Sequence, residues 1–189
     1  MKTLPLLTLV LLFCIFAGCS VVMPLKDSSN AGFPGDEALW RIRLKNGEDT
    51  VFAGILAMKK EGVGQYISLL DSSGIKLFDG YLEPEGRVRV ANALPSVREK
   101  GLPDFIGRSL FRIFQQDPGA GKCYEKIVKT ICRRASDPDM SIVAAKFLVF
   151  EIWSVTSVRA GAENAKPQKI YLDNFWPAPD VEMVLLEAD

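Results

Sequence analysis

Trp40-Arg41-Ile42-Arg43-Leu44-Lys45-Asn46-Gly47, followed at once by Val51-Phe52-Ala53-Gly54-Ile55-Leu56-Ala57-Met58, is the stretch that decides the fold. In its first part apolar and cationic residues alternate with period two, the signature of a strand buried on one face. Asn46-Gly47 then supplies a tight turn, because both residues tolerate positive φ. The second part is apolar throughout and predicts a strand that returns beside the first. Of its two side-chain sets, Phe52, Leu56 and Met58 are larger than Val51, Ile55 and Ala57, and alternation allows only one set to face the core.

Working outward, Gly62 and Gly64 mark the next turn and residues 66–70 a third strand. Asp71-Ser72-Ser73-Gly74 closes it, and a fourth strand runs from Ile75 to about Leu82. Pro84-Glu85-Gly86 turns into Arg87-Val88-Arg89-Val90, a fifth. Strands recurring every ten residues or so imply an antiparallel meander. One helix interrupts it. Leu102, Phe105, Ile106, Ser109, Leu110, Ile113 and Phe114 fall on one helical stripe, and Pro103 suits a first turn, where its missing N–H costs nothing. Asp117-Pro118-Gly119 ends the helix. Strands return at about 122–134, where the pattern is also open to a helix, at 142–158 as one long element, at 169–175 and at 181–187, with a polar loop between 161 and 167. The expected fold is mainly β with one amphipathic helix: eight or nine strands in a curved antiparallel sheet forming an unclosed barrel. Residues 38–189 form its single β-rich domain.

The N-terminus reads as an address. Lys2 precedes an uncharged run over 4–18. As a helix that run reaches only about 22 Å, short of a hydrocarbon core of about 30 Å. Residues 1–18 are therefore expected to be a removable signal peptide. Phe16-Ala17-Gly18-Cys19 resembles the lipobox of bacterial lipoproteins, with Phe16 where Leu is usual. The resemblance implies cleavage before Cys19, lipid attachment to Cys19 and anchoring in a membrane. Ser20 in place of Asp resembles an outer-membrane sorting signal, so the expected location is the bacterial outer membrane, facing the periplasm. The rest of 19–37, with Pro24, Asp27, Ser28, Ser29, Asn30, Gly32, Pro34 and Gly35, reads as a flexible tether of roughly 23 Å.

The chain of 189 residues balances 23 basic against 23 acidic side chains, so nucleic acid is not an expected partner. Loss of 1–18 removes Lys2 and leaves a net charge of about −1. There is no histidine, which excludes His-based nucleophile systems, His general acid–base chemistry and His-ligated zinc. Cys14 leaves with the signal, so Cys123 and Cys132 remain for a disulfide or as two buried thiols. Gly119-Ala120-Gly121-Lys122 fails as a phosphate loop, with Gln116 in place of the first Gly and Cys123 in place of Ser or Thr. Asp71, Asp79, Glu83 and Glu85 sit at strand ends and turns, where solvated acids are ordinary. No enzyme, cofactor or metal is expected.

What remains is apolar area: Phe52, Leu56, Met58, Tyr66, Phe78, Phe147, Phe150, Trp153, Phe175 and Trp176 are many large side chains for one domain. A barrel of about eight or more strands has room for one small ligand. A lipobox, a tether, an N-terminal meander, a helix and further strands resemble the LolA/LolB-type lipoprotein carriers and receptors, or another lipoprotein family of the same plan. The stretch Tyr66-Ile67-Ser68-Leu69-Leu70-Asp71-Ser72-Ser73-Gly74 to Phe78 carries the likeness best. That resemblance implies a half-barrel with a helical lid that shields acyl chains of lipoproteins or lipids. Phe52, Leu56, Met58, Tyr66, Phe78 and Phe150 are the candidate acyl-chain-binding residues. The other expectation is a non-enzymatic anchored module with a filled core that binds a protein of the envelope.

Overall fold

The computed structural model describes residues 36–188 apart from 63, 120, 127, 138, 160–165 and 176. Signal peptide, Cys19 and nearly all of the tether thus lie outside the described residues.

Eleven strands form one antiparallel sheet: β1 (Glu37–Asn46), β2 (Asp49–Glu61), β3 (Gly64–Asp71), β4 (Lys76–Leu82), β5 (Val88–Ala93), β6 (Cys123–Lys126), β7 (Lys129–Asp137), β8 (Met140–Phe147), β9 (Phe150–Arg159), β10 (Pro167–Asn174) and β11 (Asp180–Ala188). Their spatial order is β5-β4-β3-β2-β1-β11-β10-β9-β8-β7-β6. Two meanders are therefore joined where β1 pairs with β11, with Trp40 opposite Leu185 and Ile42 opposite Met183. β5 and β6 end the order without pairing to each other, so the barrel is unclosed, as the sequence predicts. Two helices connect them: a short α1 (Pro95–Glu99) and α2 (Leu102–Phe114).

Two expectations need correcting. Residues 122–134 and 142–158 each read as one strand, yet 123–137 folds as the hairpin β6–β7 and 140–159 as β8–β9. The second turn is made of Leu148 and Val149, with Leu148 at φ 56°. Neither residue carries turn chemistry, and an uninterrupted apolar run conceals such a reversal. The strand count therefore rises to eleven.

The alternation in β1 buries Ala38, Trp40, Ile42 and Leu44 and turns Leu39, Arg41 and Arg43 outward. Cross-strand registry carries that parity across the sheet: Trp40 opposes Leu56, Met58 opposes Ile67, and Leu69 opposes Phe78. On the other meander the same face holds Ile131, Val143, Trp153, Val155, Ile170, Leu172, Val181 and Met183. α2 lies over this face with Ile106, Leu110, Ile113 and Phe114 buried against it. Its start is set by Gly101 at φ 67° and Pro103 in the first turn. It packs backbone to backbone on the turn before β5: a Cβ on Gly107 would meet the Gly86 carbonyl oxygen at 2.5 Å, and one on Gly86 would meet Phe111 Cβ at 2.8 Å.

Candidate functional site

The concave face under α2 gathers three of the six candidate residues. Leu56, Met58 and Phe78 point into it and are buried. Phe52 packs at its margin, while Val51 and Ile55 face outward. The larger side-chain set of β2 is thus the inward one, because the strand keeps the parity of its neighbours across registry.

Tyr66 and Phe150 are placed elsewhere. Tyr66 has the opposite parity to Ile67 and stands on the outer face. There it borders an open hollow of about 290 Å³ with Leu39, Ala57, Ser68 and the Lys59–Glu37 ion pair at 2.8 Å. Its hydroxyl hydrogen-bonds Asp79, which also accepts from Lys76 Nζ (2.7 Å), the Asn92 backbone N–H (3.0 Å) and Asn92 Nδ2 (3.0 Å). Asp79 is 1% exposed. Burial pushes its carboxyl up, but the donors Lys76, Asn92 and Tyr66 outweigh burial and hold it below the usual carboxylate range. Burial, and then the bond to Asp79, push Tyr66 up. Tyr81 completes the cluster, edge-on to Tyr66 at 5.2 Å and donating to Glu61 at 3.1 Å. This network is a satisfied structural one, with every oxygen of Asp79 occupied. Phe150 sits at the exposed tip of the β8–β9 hairpin, far from the concave face in parity and position.

Sequence size alone did not select Trp40, which the β1 alternation buries at the centre of the concave face, 6.0 Å from the Phe114 ring of α2. Its opposition to Leu56 was the available signal. Trp153 lies on the same face across the sheet, with the Arg112 guanidinium 5.9 Å and the Lys129 ammonium 5.3 Å from its ring. Burial lowers the Arg112 pKa, Arg108 adding to it, and its guanidinium donates to Asn174 Oδ1 at 2.5 Å. Among the described residues, the Nε1 atoms of Trp40 and Trp153 are buried without a hydrogen-bond partner. Indole N–H groups in such positions ordinarily find one. The face under α2 is thus a packed set of apolar side chains beneath a helical cover, with two indole donors that find no acceptor among the described residues.

Cys123 and Cys132 face each other in registry on β6 and β7 and are bonded. Among the described residues no group of three or more Cys, Asp or Glu could hold a metal ion, and no helix is long and apolar enough to cross a membrane. Neither a protein-family model nor a curated protein matches the chain.

Proposed function

We propose that this chain is a lipoprotein anchored through Cys19 in the bacterial outer membrane, and that its concave face takes acyl chains of lipoproteins or lipids beneath α2. What supports the reading is the pairing of an apolar concavity, covered by one amphipathic helix, with two buried indole donors that no described residue satisfies. An ester or carboxyl oxygen at the head of an acyl chain is an acceptor suited to such donors.

The near-complete burial of Leu56, Phe78 and Trp40 favours the second reading, a filled core in an envelope module that binds protein. Two measurements on residues 36–189 separate them: native mass spectrometry for co-purified lipid, and titration with a fluorescent fatty acid. The carrier reading expects saturable binding, weakened by Met58→Trp with the melting temperature held. Absence of fatty-acid binding, together with a loss of about 1–3 kcal/mol in Met58→Trp from overpacking, would leave the interaction module.

A further inference from the structure

The tip of the β8–β9 hairpin is Phe147-Leu148-Val149-Phe150, four consecutive apolar residues pointing into solvent. Leu148 is 66%, Val149 79% and Phe150 68% exposed. Isolated exposed apolar residues are ordinary, whereas a contiguous protruding set marks an interaction site. The tip is extended sideways. The Leu148 N–H donates to the Val128 carbonyl at 3.1 Å, bringing exposed Val128 of the β6–β7 turn beside it. The Phe175 N–H donates to Ile152, so that the 73% exposed Phe175 of the β10–β11 turn flanks it on the other side. Three adjacent turns at one end of the sheet thus present apolar side chains together.

We propose that this end of the sheet inserts its side chains into the interfacial layer of a lipid bilayer. The tip is convex, and a bilayer interface accepts a convex apolar projection without a matching pocket. The neighbouring β6–β7 hairpin adds no free cationic cluster, since Arg133 is ion-paired with Asp117 and Lys129 lies over the Trp153 ring, so the contact rests on the apolar side chains. At the tip itself, Lys146 and Glu151 oppose each other in registry and add no net charge. The chain outside the described residues allows the contact. β1 begins at the opposite end of the sheet and spans about 33 Å. Residues 20–36, fully extended, span up to about 60 Å, so a chain anchored at Cys19 can lay its far end on the same bilayer. This reach rests on the anchored reading, whereas the contact does not require acyl chains in the concavity.

The test places an environment-sensitive fluorophore on Val149→Cys in the full chain, reconstituted with vesicles of phosphatidylethanolamine and phosphatidylglycerol that contain shallow spin-labelled lipid. Cys123 and Cys132 are bonded to each other and leave the new thiol for labelling. The same label on Gln168→Cys, exposed on β10 away from the tip, is the control. The expected result is blue-shifted, quenched emission at 149 and water-like emission at 168. With the label moved to Val128→Cys, the double change Leu148→Asp and Val149→Asp should reduce tip engagement about tenfold or more, the loss expected from removing even one buried aliphatic side chain. Both sites are exposed, so the fold should remain. Water-like emission at 149 in vesicle-bound protein, or no vesicle binding at all, overturns the inference. The mass of the N-terminal residue decides the anchor independently.

Discussion

Gly107→Ala tests the seating of the helical cover. In a free helix this change stabilises by about 0.8–1 kcal/mol, since Gly is a poor helix former. Here the new Cβ would lie 2.5 Å from the Gly86 carbonyl oxygen and 2.6 Å from Val88 Cγ2. Ordinary contact begins at 3.4 Å, so the helix and the turn must part by about 0.9 Å. The obstructing atom is backbone, and Gly86 is held at φ 79°, so neither side gives way by a rotamer change. Overpacking costs about 1–3 kcal/mol, and an obstruction by backbone that no rotamer relieves belongs in the upper part of that range, about 2–3 kcal/mol. After the propensity gain, the net loss should be about 1–2 kcal/mol, or roughly 2–8 °C in melting temperature for a body of this size. Thermal unfolding followed by circular dichroism measures it, with Arg108→Ala on the exposed side of α2 as the near-neutral control. If acyl chains enter beneath α2, the displaced helix should also speed fatty-acid uptake. A melting temperature equal to or above that of the parent protein would refute the reasoning, because helix propensity would then act unopposed.

Leu110→Asp buries an unpaired charge under α2 and should cost about 3–5 kcal/mol; urea unfolding checks it, and an unchanged midpoint would mean that the stripe is exposed. Asp79→Ala removes a buried carboxylate together with its hydrogen bonds to Lys76, Asn92 and Tyr66 and should cost about 1.5–3 kcal/mol, the range for hydrogen bonds to a charged group. Because the Asp79 carboxyl is held below its ordinary value, its contribution is present above about pH 4 and is lost as pH falls through the folded value. The difference in stability between parent and Asp79→Ala should therefore shrink in acid. Replacing Cys123 and Cys132 by Ser should cost about 2–3 kcal/mol on the chain-entropy account of a short loop, read as a lower midpoint that reduction of the parent reproduces. Cys19→Ala should release the protein from the acylated form, seen as loss of the acyl mass and of membrane-fraction recovery.

Period-two alternation in β1, the Asn46-Gly47 turn and the stripe of α2 were legible because each is a local pattern with a local cause. The reversals at 126–129 and 147–150 were not, since apolar residues occupy both turns and no Gly or Pro punctuates them. Val128, Leu148 and Val149 of these turns are nonetheless exposed, so apolar composition there did not signal burial. Candidate residues chosen by size fared unevenly for a related reason. Size predicts burial only when parity is known. Registry puts Leu56, Met58 and Phe78 on the concave face but puts Tyr66 opposite Tyr81 on the outer face, where its hydroxyl reaches Asp79. No periodicity in β3 alone distinguished the two sides, because Tyr66, Ser68 and Leu70 alternate with Ile67 and Leu69 without a clear polar face.

An unclosed sheet leaves two edges, and this chain secures them by different means. The β5 edge is held from one side by α2, whose Gly107 lies against Gly86 in the turn leading into that strand. The β6 edge is only four residues long, and the Cys123–Cys132 bond ties it to β7 in registry. Short edge strands and covered edges are the usual protection against edge-to-edge pairing. The two margins are pinned separately, and β5 and β6 are not joined. Closure of the barrel would have satisfied both edges at once. The two fastenings differ in kind: a shift of α2 would loosen the β5 margin, whereas the disulfide holds β6 to β7 wherever the helix lies. The disulfide variant bears on this too: loosening β6 should lower stability on its side while leaving the α2 contact with Gly86 intact.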